Sequence, residues 1–316
     1  MHVLITGAAG MLGARLAAHL ATRGQVAGQA ITRMTLVDAV TPALPRGAPQ
    51  GQAVACDIAA PGVAAQVVAG RPDVIFHLAA VVSGEAEVDF DKGYAVNFDA
   101  TRALFDAVRA AAYRPRVVFA SSIAVFGAPF PAVIGDDYFA TPRTSYGTQK
   151  AMAELLLNDY SRRGFMDGVA LRLPTICIRP GAPNRAASGF FSNILREPLV
   201  GLPAVLPVPD TVRHWFASPQ SAVGFMDHAA GLDMAALGAW RVLNMPGLSA
   251  TVADQIEALR RVAGQKAVDL IRPEPDAAIA SIVAGWPSDF DTARARTLGF
   301  VAETRFDQII EAHLRG

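Results

Sequence analysis

The tightest constraint on this chain lies in its first thirteen residues, where His2-Val3-Leu4-Ile5-Thr6 runs straight into Gly7-Ala8-Ala9-Gly10-Met11-Leu12-Gly13. A β-branched run, three glycines at this spacing and then an Ala- and Leu-rich stretch of helical period describe a strand, a tight turn and a helix. The amides that open such a helix have no carbonyl partner, and the positive end of the helix dipole lies with them. The turn is therefore built to cradle a pyrophosphate. Gly7 permits the turn, Gly10 lets a phosphate reach the backbone, and Gly13 lets the helix lie close to the sheet.

The same alternation continues along the first half of the chain. Strands are expected at His2–Thr6, Met34–Val37, Ala53–Cys56, Val74–Leu78, Arg116–Ala120 and Gly168–Leu173, with helices at Met11–Arg23, Gly62–Ala69, Ala95–Ala112 and Gly147–Arg163. Right-handed crossovers put such helices on both faces of one sheet, so the fold class is α/β, a Rossmann-type doubly wound parallel sheet. After Pro174 the prolines at 180, 183, 198, 203, 207 and 209 break the chain into short pieces. Helices are expected there at Val252–Val262, Asp276–Ala284 and Asp289–Thr297. Residues 1–173 then form the dinucleotide-binding domain and residues 174–316 a smaller, mainly substrate-binding region of mixed α/β elements.

Asp38 ends the second strand, where a carboxylate accepts hydrogen bonds from the adenosine ribose. The same charge repels the 2′-phosphate of NADP, so the expected cofactor is NAD. A second constellation is Tyr146-Gly147-Thr148-Gln149-Lys150, which sets Tyr and Lys on one face of a helix. With five tyrosines in 316 residues, chance supplies on the order of 0.05 such pairs. A free phenol, with a pKa near about 10, is a poor base at neutral pH. An ammonium and a cationic nicotinamide ring nearby both favour phenolate, which makes Tyr146 a general base for alcohol oxidation. Lys150 would also hold the nicotinamide ribose. Ser122 closes the fifth strand, where open α/β sheets bind ligands, and could hydrogen-bond the reacting oxygen; a serine after a strand also serves as a cap or turn.

Composition narrows the partners. Lys plus Arg equals Asp plus Glu at 28 each, and no basic run is present to track a nucleic-acid backbone. The two cysteines, Cys56 and Cys177, sit in apolar stretches and read as reduced, buried thiols, which suits the cytoplasm. The chain opens directly on a strand-like run with no signal-peptide pattern, and no apolar stretch approaches the roughly 20 residues that span a bilayer. The six histidines show no metal-ligand spacing, so no metal is expected.

Taken together these residues resemble the extended short-chain dehydrogenase/reductase superfamily, of the NAD-dependent epimerase/dehydratase type. The resemblance rests on Gly7, Gly10 and Gly13, Asp38, Asp57-Ile58, His77 to Ala80, Asn97, Ser121-Ser122 before Val125-Phe126-Gly127, Tyr146 to Lys150, and Arg172-Leu173-Pro174. It covers nearly the whole chain. It implies that Ser122, Tyr146 and Lys150 are catalytic, and that the cofactor is held by Gly7, Gly10, Met11, Leu12, Gly13, Asp38, Asp57, Ile58, Leu78, Ala79, Ala80, Asn97, Tyr146, Lys150, Pro174, Thr175 and Ile176. Sugar-nucleotide members commonly carry an Arg-Asp-Phe tripeptide followed by Val-Asp, where this chain reads Arg213-His214-Trp215-Phe216-Ala217-Ser218. The missing acidic residues count against a nucleotide-sugar substrate.

More narrowly, Val81 to Gly84, Ser145 to Lys150, Asn158 to Phe165, Arg213 to Trp215 and Ala284 to Pro287 are similar to the D-erythronate dehydrogenase subfamily. The implied reaction is NAD-dependent oxidation at C2 of a four-carbon sugar acid. An anionic substrate needs a planar guanidinium for its carboxylate; the candidates are Arg179 and Arg213, with Ser83, Ser122, Tyr146 and Thr175 for hydroxyls. Asn184 and His214 are further candidates. The rival reading is an epimerase or dehydratase that retains NAD. Helices 95–112 and 147–163 are rich in Ala and Leu, and relatives pair such helices, so a homodimer is expected.

Overall fold

The structure, a computed structural model, describes residues 1–181 and 187–316. Its centre is a seven-stranded parallel sheet. Read across, the strands are Val242–Asn244, Asp167–Leu173, Arg116–Ser122, Val74–His77, His2–Thr6, Arg33–Asp38 and Gly51–Ala55. All six expected strands are present, the bounds shifting by at most two residues at any end. The order reverses between His2–Thr6 and Val74–His77. Helices leave the carboxyl ends of these two strands toward opposite faces, which opens a crevice between them.

The central strands are buried on both faces, and successive side chains alternate between the two helical layers, as a doubly wound sheet requires. Val3 and Ile5 face one layer with Leu16 and Leu20 of the helix Met11–Arg23 and Phe225 and Met226 of the helix Pro219–Ala230. Leu4 faces the other layer, with Leu104 and Phe105 of Ala100–Ala110 and Ala153 and Leu157 of Ser145–Arg162. The first helix stops at Gly24, whose left-handed φ of 67° lets its amide return to the Leu20 carbonyl.

The region after residue 174 is more regular than its prolines suggest. Pro219 occupies the first turn of a twelve-residue helix, where a proline has no amide to waste, and the Ser218 hydroxyl caps it by accepting from the Ser221 amide. Pro198 falls in the last turn of the helix Gly189–Leu199. Of the helices expected there, Asp289–Thr297 shortens to Ala293–Thr297. Residue 174 is also not a clean division in space: the chain returns to the main sheet at Val242–Asn244, and the helix 219–230 covers that sheet. A second core, around Phe191, Ile194, Phe216, Leu259 and Ile309, does belong to the C-terminal part alone. Beside it, Thr175–Ile176, Arg213–Ala217 and Leu248–Thr251 form a small three-stranded sheet. Cys177 is buried, whereas Cys56, expected to be buried, is only half-covered at the end of an edge strand. No helix among the described residues is long and apolar enough to cross a membrane.

Candidate active site

The glycine turn sits at the reversal point, and its glycines are required by backbone contact. A Cβ on Gly7, at φ 72°, would lie 2.6 Å from the Ala79 amide nitrogen and 2.7 Å from the Leu78 carbonyl carbon. One on Gly13 would lie 2.1 Å from the Gly7 carbonyl oxygen. Gly13 therefore serves the closure of the turn upon itself more than the approach of helix to sheet. Gly10 is the looser of the three on the protein side, its nearest protein atom being the Gly7 oxygen at 3.2 Å; it precedes the helix with no side-chain cap, which leaves the first amides facing the crevice.

Asp38 stands at the end of the second strand, and both of its oxygens are engaged. The Ala9 amide donates to Oδ2 at 2.9 Å and the Ala39 amide to Oδ1 at 2.7 Å. A carboxylate has about four acceptor sites, so Asp38 can lock the glycine turn and still receive ribose hydroxyls. Asp57 is exposed, with the Ala59 amide on its Oδ1. Ile58 is largely buried in a small cluster with Val63 and Ala100, so it presents little surface to an adenine. Leu78, Ala79 and Ala80 open progressively to the surface, and Thr175 is half-exposed beside buried Pro174 and Ile176.

Asn97 is fully engaged within the protein. It has no exposed surface; its Oδ1 accepts from the Val81 amide at 2.9 Å, and its Nδ2 donates to the Val81 carbonyl at 3.2 Å and to Gln149 Oε1 at 2.7 Å. With its amide engaged by protein partners and shielded from solvent, this side chain fixes the backbone of residue 81.

The helix Ser145–Arg162 opens with the Thr144 hydroxyl accepting from the Gly147 amide at 3.0 Å. A Cβ on Gly147 would lie 2.1 Å from the Ala124 carbonyl oxygen. Only glycine lets this helix abut the short 3-10 turn Ile123–Val125 that follows Ser122, and that contact brings Tyr146 to Ser122. Gly147 was a silent member of the motif in the sequence. Ser122 has two tasks, because its oxygen also accepts from the Ala124 amide at 3.1 Å.

Burial pushes the Tyr146 phenol above its ordinary value, opposed first by the positive charge of Arg179 and then by the hydrogen bond with Ser122. Lys150 is buried as well. Its ammonium donates to the Ala120 carbonyl at 2.9 Å and lies 5.6 Å from the Tyr146 ring centre. Loss of hydration lowers it to about 8, with Glu154 pulling it back up. Glu154 is held between the Ser121 hydroxyl and Arg172, whose Nη2 donates to Oε2 at 2.8 Å; both members of this ion pair are 2 % exposed. Glu154 was not foreseen, although it follows Lys150 by one helical turn.

Of the two arginines expected near the substrate, the structure brings one. Arg179 is anchored through Nε to the Ile176 carbonyl and through Nη2 to the Ser188 hydroxyl at 3.1 Å, and its charge bears on both Tyr146 and His214. Arg213 does not join the group. It alternates with inward-facing His214 along its strand, stands exposed, and reaches the Ser249 carbonyl at 3.3 Å. His214 is buried between Phe191 and Trp286. Its Nε2 lies 2.6 Å from Thr175 Oγ1, and burial holds the ring neutral, with a pKa of about 3. Ser83 is half-buried at the start of the helix Ser83–Val88, two residues past Val81. Asn184 lies outside the described residues. Among the described residues, no group of three or more His, Cys, Asp or Glu side chains could hold a metal ion.

The arrangement is thus a dinucleotide cradle at the switch point of a parallel sheet, with a phenol, a serine hydroxyl and a guanidinium gathered near it. The close-packed glycines and Asp38 fit NAD. Comparison with known proteins agrees with this geometry. The model of the NAD dependent epimerase/dehydratase family matches residues 3–216. A D-erythronate dehydrogenase of Cupriavidus necator is 48% identical, over 99% of this chain and 98% of that one. One from Haemophilus influenzae is 44% identical, over 98% of each. A solved structure described as a nucleoside-diphosphate-sugar epimerase from Agrobacterium tumefaciens shares 60% identity at a TM-score of 0.98, over 100% of this chain and 94% of that one. With its cradle, its Ser-Tyr-Lys group and these matches in agreement, this chain belongs to the NAD-dependent epimerase/dehydratase family and uses NAD as its cofactor.

Proposed function

We propose that this protein is an NAD-dependent dehydrogenase of a small sugar acid, oxidising C2 of D-erythronate to 2-oxo-D-erythronate. The observation that carries the reading is the end-to-end match to two D-erythronate dehydrogenases. The site supports it, since Arg179 brings an anion-binding guanidinium beside the phenol that would take the alcohol proton.

In this mechanism Arg179 pairs with the substrate carboxylate, and the C2 hydroxyl donates to Tyr146 while accepting from Ser122. Tyr146 takes the hydroxyl proton as general base, and returns it as general acid in the reverse direction. NAD, when bound in the cradle, would supply the acceptor for the C2 hydride. Lys150 holds the nicotinamide ribose and, being cationic below about pH 8, favours the phenolate. Thr175 and Ser83 offer hydroxyls to the rest of the acid. Asp38, Asp57, Leu78, Ala79, Ala80, Pro174 and Ile176 complete the cofactor site, along with the glycine turn. We further propose a cytoplasmic homodimer paired through the helices 100–110 and 145–162.

A second reading has one observation in its favour, the epimerase description of the 60%-identical structure: NAD would stay bound and return to its starting oxidation state. The test is to supply purified protein and NAD with four-, five- and six-carbon sugar acids and with UDP-sugars. D-Erythronate should give the highest kcat/KM. Turnover of a UDP-sugar, with none on any acid, would favour the second reading.

A further inference from the structure

We infer that Gln149, a residue of the catalytic helix with no exposed surface, is a positioning residue that sets the substrate-side segment Val81–Gly84 in register with Tyr146 and Lys150. The inference rests on the proposed acid-binding site and adds the device that holds one wall of it.

The Val81 main chain fixes the orientation of the Asn97 and Gln149 side chains. The Val81 amide can only donate and its carbonyl can only accept, so Asn97, which binds both, must present Oδ1 to the first and Nδ2 to the second. The remaining Nδ2 hydrogen then points at residue 149 and requires an acceptor there, which Gln149 Oε1 supplies at 2.7 Å. The orientation of Gln149 follows: its Nε2 turns the other way, toward Gly93, where an added Cβ would stand 2.8 Å from it and 3.0 Å from the Ala86 Cβ. Gly93 thus makes room for the amide. The bridge runs from the helix 145–162 through two fully buried side chains to the main chain at residue 81.

A second tie fixes the same segment to the same helix. Glu87, in the helix Ser83–Val88, accepts from the Ser145 amide at 2.5 Å. Between these two ties lie Val82, Ser83 and Gly84, shortly beyond the Leu78–Ala79 backbone that packs on Gly7. Tyr146 and Lys150 flank Gln149 on its helix, so a shift of the bridge moves residues 81–84 relative to the phenol while the phenol keeps its own contacts with Ser122. Displacements of about 1 Å around a reacting group cost up to two orders of magnitude. The effect should fall on substrate capture, because neither Asn97 nor Gln149 touches the atoms that move the proton.

Gln149→Met, of matching length but without the acceptor, is expected to raise KM for D-erythronate about tenfold while kcat falls less than about threefold. NAD affinity and the pH dependence of kcat should stay as in the parent. Gln149→Glu, buried and therefore protonated, still offers a carbonyl oxygen to Asn97 and should bring KM back to within about threefold. Gly93→Ala pushes on the bridge from the opposite side and should raise KM in the same sense, which keeps the test available if Gln149→Met does not fold. An unchanged KM in folded Gln149→Met and Gly93→Ala, a loss confined to kcat, or a Glu variant no better than Met would each overturn the inference. Failure of the parent protein to reduce NAD with any sugar acid would instead overturn the proposed function.

Discussion

The positive charge of Arg179 bears on the Tyr146 phenol and lowers its pKa against the effect of burial, while Lys150 on the same helix directs its ammonium to the Ala120 carbonyl 2.9 Å away. The sequence expectation assigned the activation of Tyr146 to Lys150. The structure adds a second cation, on a separate segment of the chain, and that cation is also the natural partner for a substrate carboxylate. In the proposed mechanism, substrate anchoring and base strength are coupled in this one side chain.

Replacing Arg179 by Leu should act on both. KM for D-erythronate should rise by about two orders of magnitude, the scale of a lost charge-assisted pair. Removing a cation leaves the phenol higher, so the alkaline rise of kcat should move to higher pH. A pH–rate profile of the variant at saturating acid checks the shift.

Tyr146→Phe removes the proton acceptor without altering the cradle. Turnover should fall by about 10²- to 10⁴-fold, with NAD affinity within a few-fold of the parent by fluorescence titration. Near-normal turnover would exclude the base assignment.

His77 and His214 are both buried and held near pKa 3. His77 hydrogen-bonds Thr6 and Thr101 on its two sides. A folded pKa below the unfolded value means the unfolded chain binds more protons between about pH 6.5 and 3. Stability should therefore be complete above pH 6.5 and decline as pH falls through that window. Thermal unfolding followed from pH 7.5 to 4.5 checks this, and kcat should show no inflection from either ring near pH 6.5.

Glu154→Gln leaves Arg172 buried without its carboxylate, and breaking such a pair costs about 3–5 kcal/mol. The midpoint of thermal unfolding should drop by several degrees. The same variant removes the charge that raises Lys150, so Lys150 should lose its proton at lower pH; the activity that depends on its cationic form should fall off earlier on the alkaline side.

Much of this architecture was legible because local signals carry it. The six expected strands each show a short apolar run, and the glycines at 7, 10 and 13 mark the turn that follows the first of them. What was not legible depends on contacts between distant segments. Val242–Asn244 is three residues long, and only its pairing with Asp167–Leu173 makes it a strand. The run of prolines from 180 to 209 signals breaks, yet Pro198 sits within the last turn of a helix. In the site, the contacts of Asn97 are not readable from sequence, since only the position of Val81 shows where its amide goes. Arg213 and His214 are neighbours in sequence, and strand alternation sends one to solvent and the other inward. Gly147 and Gln149 lay inside the recognised motif, and their tasks emerged only when Ala124 and Asn97 were found against them.

The central claim is net oxidation of a sugar acid, and the reduced nicotinamide absorbance of a mixture of purified protein, excess NAD and D-erythronate tests it most directly. NADH should accumulate mole for mole with acid consumed, through many turnovers per protein molecule. Absorbance that stays flat while a UDP-sugar is interconverted by the same preparation would contradict the account.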